Sequence, residues 1–526
     1  MRDFQHPGRS SVYALNGMAA TSHPLASRTA IDILQAGGNA VDAAIGAAVL
    51  LGLCEPMMTG IGGDCFVLLK PAGEERIVAL NGSGRAPRGL SAAELRGRGL
   101  AAVPLDTADA ANVPGAVDAF CRLSADWGRL GLAASLAPAI RAAEEGVPVA
   151  PRTAQDWAQY AGSLQGAARD FYLLDGKAPT VGQVFRAPGQ AEVLRRIAKE
   201  GRAGFYEGEV AADMVTSLNA LGGVHTLEDF AATACDYADP ISGAYKGVEL
   251  VEHPPNGQGA TALLMLNILS HFDLAALAPF GAARAHLEAE AAKLAYDARN
   301  RFIADPDRTT RLAHMLAPDT AARLAALIDP KRAMTGPEKL SEAVHRETVY
   351  LTVVDRDRMA VSLIYSVFHD FGCGLASSKF GINFQNRGAG FTLAEGHPNE
   401  AGGGKRPMHT IIPAMLRRGG KVEMPFGVMG GAYQPNGHAR VVTNLVTYGM
   451  DLQEALDAPR SFSGAEGMQV ERGYPDSVRA ELAAMGHDVR VPDQPIGGAQ
   501  AIRINAKTGV LEGASDPRKD GCALGY

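Results

Sequence analysis

Residues 347–355 read Glu-Thr-Val-Tyr-Leu-Thr-Val-Val-Asp, a β-branched and aromatic run that predicts a strand beginning at Thr348. The turn at 355–358 and the apolar residues 359–365 complete a predicted β-hairpin. A threonine hydroxyl is a poor nucleophile unless a base lies beside it, and a threonine at its own N-terminus carries its α-amine as that base. A cut after Glu347 would therefore create a candidate nucleophile. The alternative is an ordinary strand with a β-branched first residue.

The composition indicates a soluble globular protein. The chain has 526 residues, of which 47% are hydrophobic and 20% charged, and its formal net charge is -7. It has no long basic run, so nucleic-acid binding is not expected. The longest apolar stretch, 40–53, contains Asp42 and is too short to span a bilayer, so no membrane association is expected. The six cysteines are scattered without paired spacings, which favours reduced thiols and a cytoplasmic location.

The pattern of the chain changes at Thr348. Residues 115–235 are rich in alanine at helical spacing, and residues 329–346 are polar without periodicity, which indicates an exposed linker. After Thr348, short strands and Gly-rich turns are expected to continue to the last residue. We therefore interpret 1–347 and 348–526 as a large and a small fragment of one interdigitated domain.

Three short motifs each allow two interpretations. The Gly-rich loop 60–64 lies between a helix and a strand, the reverse of the dinucleotide-binding order, so a packed core turn is favoured. His369, Asp370 and Cys373 lie close in sequence, but their spacing suits neither a metal site nor a Cys–His pair, and a packed turn is favoured again. The glycine pair 430–431 is either a strand-ending turn or a pair of N–H donors for an oxyanion.

Seven collinear segments together resemble the γ-glutamyltransferase family of N-terminal-nucleophile hydrolases. They are 37–44 (GGNAVDAA), 60–63 (GIGG), 113–115 (VPG), 295–299 (AYDAR), 405–407 (KRP), 456–460 (LDAPR) and 513–518 (GASDPR). The resemblance covers nearly the whole chain, from Thr21 to Tyr526. It implies an α+β fold, a four-layer αββα sandwich, made as a precursor that is cut before Thr348. No metal and no organic cofactor are required.

The same resemblance assigns the catalytic roles. Thr348 is the expected nucleophile, and Ser366 is the expected supporting hydroxyl. Gly430 and Gly431 are the expected oxyanion donors.

The resemblance fails where the family binds the charged groups of a γ-glutamyl substrate. The family's arginine for the α-carboxylate is replaced by Ser83, and the asparagine two residues past the second hydroxyl is replaced by Phe368. The glutamine and aspartate that hold the α-ammonium fall at Arg387 and Gly390.

The paired serines after Lys-Arg-Pro are replaced by His409 and Thr410, which become candidate substrate-binding residues. Arg85 and Arg387 are candidate replacement cations, because a guanidinium suits a carboxylate. The alternative for both arginines is a solvated surface position.

The sequence therefore predicts a self-processing N-terminal-threonine amidohydrolase, similar to γ-glutamyltransferase and glutathione hydrolase. It cleaves a small-molecule amide through an acyl-enzyme, hydrolysis is favoured over transfer, and the two fragments stay associated. One alternative is an amidase for a dicarboxylic monoamide of the oxamate or glutaryl type. A second alternative is an uncleaved relative that binds a ligand without catalysis.

Overall fold

The computed structural model describes residue 5 and residues 8–334, 348–464 and 467–526. Most of the predicted linker, including Glu347, lies outside the described residues. The predicted cutting point is therefore described only from Thr348 onward.

The strands and helices alternate in a mixed α+β order. The strands are β1 (Val12–Ala14), β2 (Met18–Thr21), β3 (Asp64–Lys70), β4 (Val78–Gly82), β5 (Val147–Pro148), β6 (Val184–Phe185), β7 (Asp236–Ala238), β8 (Ile241–Tyr245), β9 (Val248–Glu252), β10 (Val349–Val354), β11 (Ala360–Ser366), β12 (Ala414–Arg418), β13 (Lys421–Met429), β14 (Ser461–Gly464), β15 (Gly467–Val470), β16 (Val489–Arg490), β17 (Gly498–Ile504), β18 (Leu511–Ser515) and β19 (Cys522–Gly525). The α-helices are α1 (Pro24–Gln35), α2 (Ala40–Cys54), α3 (Ala92–Gly97), α4 (Ala116–Trp127), α5 (Leu132–Glu145), α6 (Pro151–Tyr160), α7 (Ala167–Tyr172), α8 (Pro188–Glu200), α9 (Ala203–Tyr206), α10 (Gly208–Asn219), α11 (Leu227–Ala231), α12 (Gly259–Leu269), α13 (Ala282–Phe302), α14 (Leu312–Leu316), α15 (Pro318–Ala325), α16 (Gln434–Val446), α17 (Leu452–Asp457) and α18 (Asp476–Ala484).

Two seven-stranded antiparallel sheets form the centre of the molecule. The first has the strand order β1-β18-β17-β13-β12-β9-β8, and the second has the order β19-β2-β10-β11-β3-β4-β7. Apolar residues of both sheets pack together, for example Leu68 and Val354 of the second sheet with Met415 and Ile502 of the first. The sheets therefore face each other.

Helices cover the outer face of each sheet. One apolar core joins the second sheet to α1, α2, α4 and α5, and another joins the first sheet to α12, α13 and α16. The four-layer αββα arrangement expected from the resemblance is confirmed.

Helix α2 shows how the local sequence sets these layers. Asn39 caps its N-terminus, and its side-chain oxygen accepts hydrogen bonds from the backbone N–H groups of Val41 and Asp42. Asp42 in turn accepts from the Asn39 backbone, which completes a capping box. Every residue of α2 is buried, as expected for a helix without a polar face between the sheet and other helices.

The predicted hairpin is present within about one residue at each end. In β10 and β11, Val349 pairs with Tyr365 and Val354 pairs with Ala360. Asp355 closes the turn, because its carboxylate accepts hydrogen bonds from the backbone N–H groups of Asp357 and Met359.

The expectation of only strands and turns after Thr348 is wrong. Helices α16, α17 and α18 lie in this part of the chain, and α16 packs into the core over most of its length. Its sequence escapes a periodicity search because polar residues such as Gln434, Asn436 and Arg440 are buried together with its apolar ones.

All six cysteines are free thiols in the structure. Among the described residues, no helix is both long and apolar enough to cross a membrane.

Candidate active site

Thr348 and Ser366 meet at one end of the hairpin. Thr348 directly precedes β10 and Ser366 ends β11, so the two residues stand opposite each other, one step beyond the Val349–Tyr365 pair. The Thr348 hydroxyl donates to the Ser366 hydroxyl across 3.3 Å, and both residues are buried. The Ser366 oxygen also accepts from the backbone N–H of Phe368 at 2.8 Å. The structure thus joins the two hydroxyls that the sequence predicted to act together.

The alternation of β10 orients the Thr348 side chain. Residues two apart on a strand share a face, so Thr348 lies on the same face as Tyr350. Tyr350 packs between the sheets in a small cluster that includes Met429, the last residue of β13. The predicted oxyanion donors directly follow Met429 in the chain.

Gly430 and Gly431 both have positive φ angles, 119° and 54°. This conformation favours glycine and turns successive N–H groups out of the strand. Within the part of the chain that the structure describes, neither N–H donates a hydrogen bond. Two unused donors directly after Met429, which shares a buried cluster with Tyr350, match the requirement of an oxyanion site.

A buried polar group holds this turn in place. The Gln258 amide nitrogen donates to the carbonyl oxygens of Thr410, at 2.6 Å, and Gly431, at 3.0 Å. Arg299 in turn donates to the Gln258 amide oxygen at 2.6 Å, and the Tyr296 hydroxyl donates to the next carbonyl along the turn. The AYDAR segment quoted above thus supports the glycine turn rather than contacting Thr348.

Asp64 is the centre of a second network. It is fully buried and pairs with Ser366 in the register of β3 and β11. One carboxylate oxygen accepts from the backbone N–H groups of Gly84 and Gly115, at 2.8 and 3.0 Å, and from the Gln385 amide at 2.8 Å. The other oxygen lies 2.9 Å from His409 Nε2.

His409 is held neutral in this network. Burial, with the charge of Arg387 as a second cause, lowers its pKa to about 3. A neutral imidazole beside a carboxylate donates through Nε2–H to Asp64, which leaves Nδ1 as an acceptor without a partner in the described part of the chain.

Arg387 lies against the same network and is fully buried. Its Nη1 donates to the Thr410 hydroxyl at 2.8 Å, and the guanidinium carbon lies 3.9 Å from the centre of the Phe368 ring. Its Nε and Nη2 have no partner among the residues that the structure describes. Burial lowers the pKa of Arg387 to about 9, and the nearby charge of Asp64 acts in the opposite direction.

Arg85 occupies a different environment. Its side chain is 42% exposed, and Nη1 lies 3.5 Å from an Asp305 oxygen and 3.1 Å from the Gly404 carbonyl. With Asp236 and Arg406 it lines a cavity of about 510 Å³. The structure therefore does not bring Arg85 together with Arg387.

Ser83, at the position of the family's arginine, is also accounted for. Its hydroxyl donates to the Asn81 side chain at 2.6 Å and accepts from Asn256 at 3.3 Å. This buried amide cluster carries no charge to bind an α-carboxylate.

The alternative motifs do not form a second site. Burial raises the pKa of the Cys373 thiol, whose sulfur lies 3.2 Å from the Gln385 carbonyl, so Cys373 is a packed residue and not a thiolate nucleophile. The Gly-rich loop packs tightly, since a Cβ on Gly63 would lie 2.5 Å from the Ser366 carbonyl oxygen.

One cluster that the sequence did not suggest has metal-ligand chemistry. His286, Glu290 and His487 place one ligand atom each within 4.8 Å of one another. Their atoms already bond to protein, however, because the two imidazoles share a 2.8 Å hydrogen bond and the Lys293 ammonium binds Glu290 at 2.6 Å. The cluster is satisfied as a structural network, and the Lys293 charge opposes a second cation there.

Comparison with known proteins decides the family. The family model described as gamma-glutamyltranspeptidase matches residues 26–526. The chain belongs to this family.

Relatives within the gamma-glutamyltranspeptidase family match this chain over nearly its whole length. The glutathione hydrolase-like YwrD proenzyme of Bacillus subtilis is 35% identical over 98% of this chain and 99% of its own. The oxamate amidohydrolase proenzyme of Klebsiella pneumoniae subsp. pneumoniae is 34% identical over 98% of this chain and 100% of its own. The crystal structure of cephalosporin acylase from Bacillus halodurans superposes with a TM-score of 0.92 and 37% identity, covering 100% of this chain and 99% of that one.

The sequence thus singled out Thr348, Ser366 and the glycine pair, of which the structure joins the two hydroxyls, but it missed the residues that support them. Asp64 was visible only as the end of a Gly-rich loop, and its partners come from four separate segments. Gln258 lies within the Pro-, Asn- and Gly-rich run 254–259 and carries no motif of its own.

Proposed function

We propose that this member of the gamma-glutamyltranspeptidase family cuts itself before Thr348 and then acts as an N-terminal-threonine amidohydrolase. The observation that carries the proposal is the Thr348 hydroxyl, bonded to Ser366 at 3.3 Å. The turn at Gly430 and Gly431 adds two N–H donors that are unused within the described residues. Related chains named as proenzymes are consistent with a precursor.

Self-cleavage uses the same nucleophilic hydroxyl as turnover. The Thr348 hydroxyl oxygen attacks the carbonyl carbon of Glu347, the peptide C–N bond breaks, and the nitrogen leaves as the α-amine of Thr348. The Glu347 acyl group is then held as an ester on the hydroxyl oxygen. Water hydrolyses this ester, which leaves a new carboxylate on the large fragment and a free hydroxyl and amine on Thr348.

In turnover the α-amine supplies the base that an ordinary threonine lacks. Its usual pKa of about 7.7–8.0 lies close to neutral pH, where base catalysis is efficient. It takes the proton of the Thr348 hydroxyl as the oxygen attacks the substrate amide. The Gly430 and Gly431 N–H groups stabilise the negative oxygen. The proton then passes to the leaving amine, and water releases the acyl group from the ester.

Hydrolysis is proposed as the main outcome rather than transfer, because the groups that hold a γ-glutamyl zwitterion in the family are replaced. The relatives are named for different compounds, glutathione in one, oxamate and cephalosporin in others. The catalytic groups are therefore compatible with several amides, and the acyl-binding residues decide among them. The complete set of Thr348, Ser366 and the glycine pair argues against a non-catalytic ligand-binding relative.

The Thr348→Ala substitution tests this function. We expect the variant to remain a single chain without amidase activity, because the attacking oxygen is missing. Purified wild type should separate on a denaturing gel into fragments 1–347 and 348–526, and mass analysis should place Thr348 at the start of the smaller one.

Thr348→Ser is the matched control, since it keeps a hydroxyl at the same place and should still be cut. Uncut wild-type protein with full amidase activity would contradict the proposed mechanism.

A further inference from the structure

We propose that Arg387 is the receptor for a free carboxylate on the acyl group of the substrate, which makes dicarboxylic monoamides the preferred substrate class. The inference rests on the proposed amide hydrolysis at Thr348 and adds the identity of the acyl group. The evidence for it is the set of contacts that hold the Arg387 guanidinium and the edge of that guanidinium that these contacts do not occupy.

The contacts of Arg387 leave one edge of its guanidinium free. Thr410 binds Nη1 at 2.8 Å, and the Phe368 ring covers one face at 3.9 Å. The unpartnered atoms, Nε and Nη2, lie side by side on the remaining edge. Two parallel N–H donors on this edge match the two oxygens of a carboxylate, which an arginine binds in a bidentate manner.

Burial makes this open edge energetically significant. Arg387 is 0% exposed and forms no ion pair within the described part of the chain. A buried cation with two unpaired donors is costly, and a bound anion offsets that cost. Asp64 does not fill this role, because its two oxygens already accept hydrogen bonds from four other groups.

Both anchors of Arg387 are bonded to catalytic groups. The backbone N–H of Phe368 donates to the Ser366 oxygen that also binds Thr348. The Thr410 carbonyl shares the Gln258 amide donor with the Gly431 carbonyl. A carboxylate at Arg387 and a scissile carbonyl at Thr348 therefore belong to one compact site, which suits a short acyl chain.

Within the described residues, the anion that acts on Arg387 is Asp64. The family's aspartate for an α-ammonium is Gly390 here, and the Asp64 carboxylate already accepts hydrogen bonds from Gly84, Gly115, Gln385 and His409. His409 is neutral and contributes no negative charge. The chemistry therefore fits an acyl group with a carboxylate and no ammonium, as in an oxamate or glutaryl amide.

Four substrates test the proposal on processed wild-type enzyme. Glutaryl-p-nitroanilide is compared with 4-carbamoylbutanoyl-p-nitroanilide, in which a neutral amide of the same shape replaces the carboxylate, and with γ-glutamyl-p-nitroanilide, which adds the α-ammonium. Oxamate is assayed by ammonia release. We expect kcat/KM for the glutaryl compound to exceed that for each of the other two anilides about tenfold to hundredfold, the usual range for a charge-assisted contact.

Variants then assign the preference to the guanidinium edge. Arg387→Gln should reduce the ratio of glutaryl to carbamoylbutanoyl kcat/KM to about one, and Arg387→Lys should restore only part of it, because lysine keeps the charge but not the fork. Arg85→Gln tests the other candidate cation for the carboxylate. If Arg85→Gln abolishes the preference and Arg387→Gln keeps it, the proposal is overturned.

The outcomes distinguish the carboxylate receptor at Arg387 from the proposed amidase function on which it rests. Wild-type enzyme that cleaves the carbamoylbutanoyl and glutaryl compounds equally well keeps the amidase function and refutes the carboxylate receptor. Enzyme that cleaves no amide at Thr348 refutes both. If the Arg387 variants fail to fold, competitive inhibition of the wild type decides, because glutarate should bind at least about tenfold more tightly than glutaramide.

Discussion

Gly431 contributes a backbone conformation and an unused N–H, and both depend on the absence of a side chain. Its φ of 54° is one that a β-branched residue adopts only with strain. Replacing Gly431 with Val should therefore displace an oxyanion donor and lower turnover about 10²–10³-fold. The measurement is kcat of the processed variant on the best anilide substrate.

Gly449 provides a control that distinguishes the effect of backbone strain on stability from an effect on catalysis. Gly449 has a similar φ of 65°, and no atom lies within 4 Å of where its Cβ would be. Gly449→Val should lose stability through the same strain while keeping turnover. If Gly431→Val has a normal circular dichroism spectrum and normal turnover, the turn at 430–431 is structural only.

Individual residues also show where sequence reasoning reaches its limit. Thr348 and the glycine pair were singled out by the resemblance, because read locally each is also an ordinary strand start or an ordinary turn. Arg85 and Arg387 were equivalent in sequence, yet one lies beside aspartates at a cavity and the other is buried with an open edge. Burial and the supply of partners are set by distant segments, so the local sequence does not encode the difference.

At the level of elements, the start of α1 makes a prediction about acid stability. His23 caps this helix, and its Nδ1 accepts the backbone N–H of Leu25 at 3.3 Å. Burial lowers the pKa of His23 from 6.5 to about 4. Between pH 6.5 and about 4, the His23 side chain is therefore protonated in the unfolded chain but neutral in the folded chain. The difference in proton binding lowers the free energy of unfolding as the pH falls from 6.5 towards 4.

The His23→Asn variant measures the contribution of His23 protonation to stability, because asparagine is also a good N-cap but does not titrate. The variant should match wild type near pH 7 and lose less stability between pH 6.5 and 4.5, with a slope smaller by up to about 1.4 kcal/mol per pH unit. Denaturant unfolding at several pH values measures this difference. Parallel pH profiles for the two proteins would contradict the assigned titration.

Elements with a clear period were predictable, and those without one were not. The hairpin of β10 and β11 follows from its β-branched run and polar turn. Helix α16 begins with Gln434-Pro435 and includes Gly437, residues that indicate a turn when read locally. Burial of its polar residues His438 and Arg440 in hydrogen bonds to Glu252 and Glu288 stabilises the helix instead.

At the level of the whole molecule, the proposed cut does not coincide with a structural boundary. In the second sheet, β10 and β11 of the small fragment lie between β2 and β3 of the large fragment. In the first sheet, β12 and β13 of the small fragment pair onward to β9 of the large one. Separating the fragments would expose the edges of both sheets and divide the apolar cores, which is unfavourable in water.

We therefore expect the fragments 1–347 and 348–526 to remain one species after cleavage. They should co-elute on size exclusion under native conditions, on dilution and in high salt, because strand pairing and apolar burial are not screened as surface charges are. Thermal unfolding should show one cooperative transition, as in uncut Thr348→Ala, which serves as the control. Fragments that dissociate in high salt, or unfold in two separate steps, would show that the sheets do not hold them together. Because the central strands of both sheets come from the small fragment, the large fragment expressed alone should not fold.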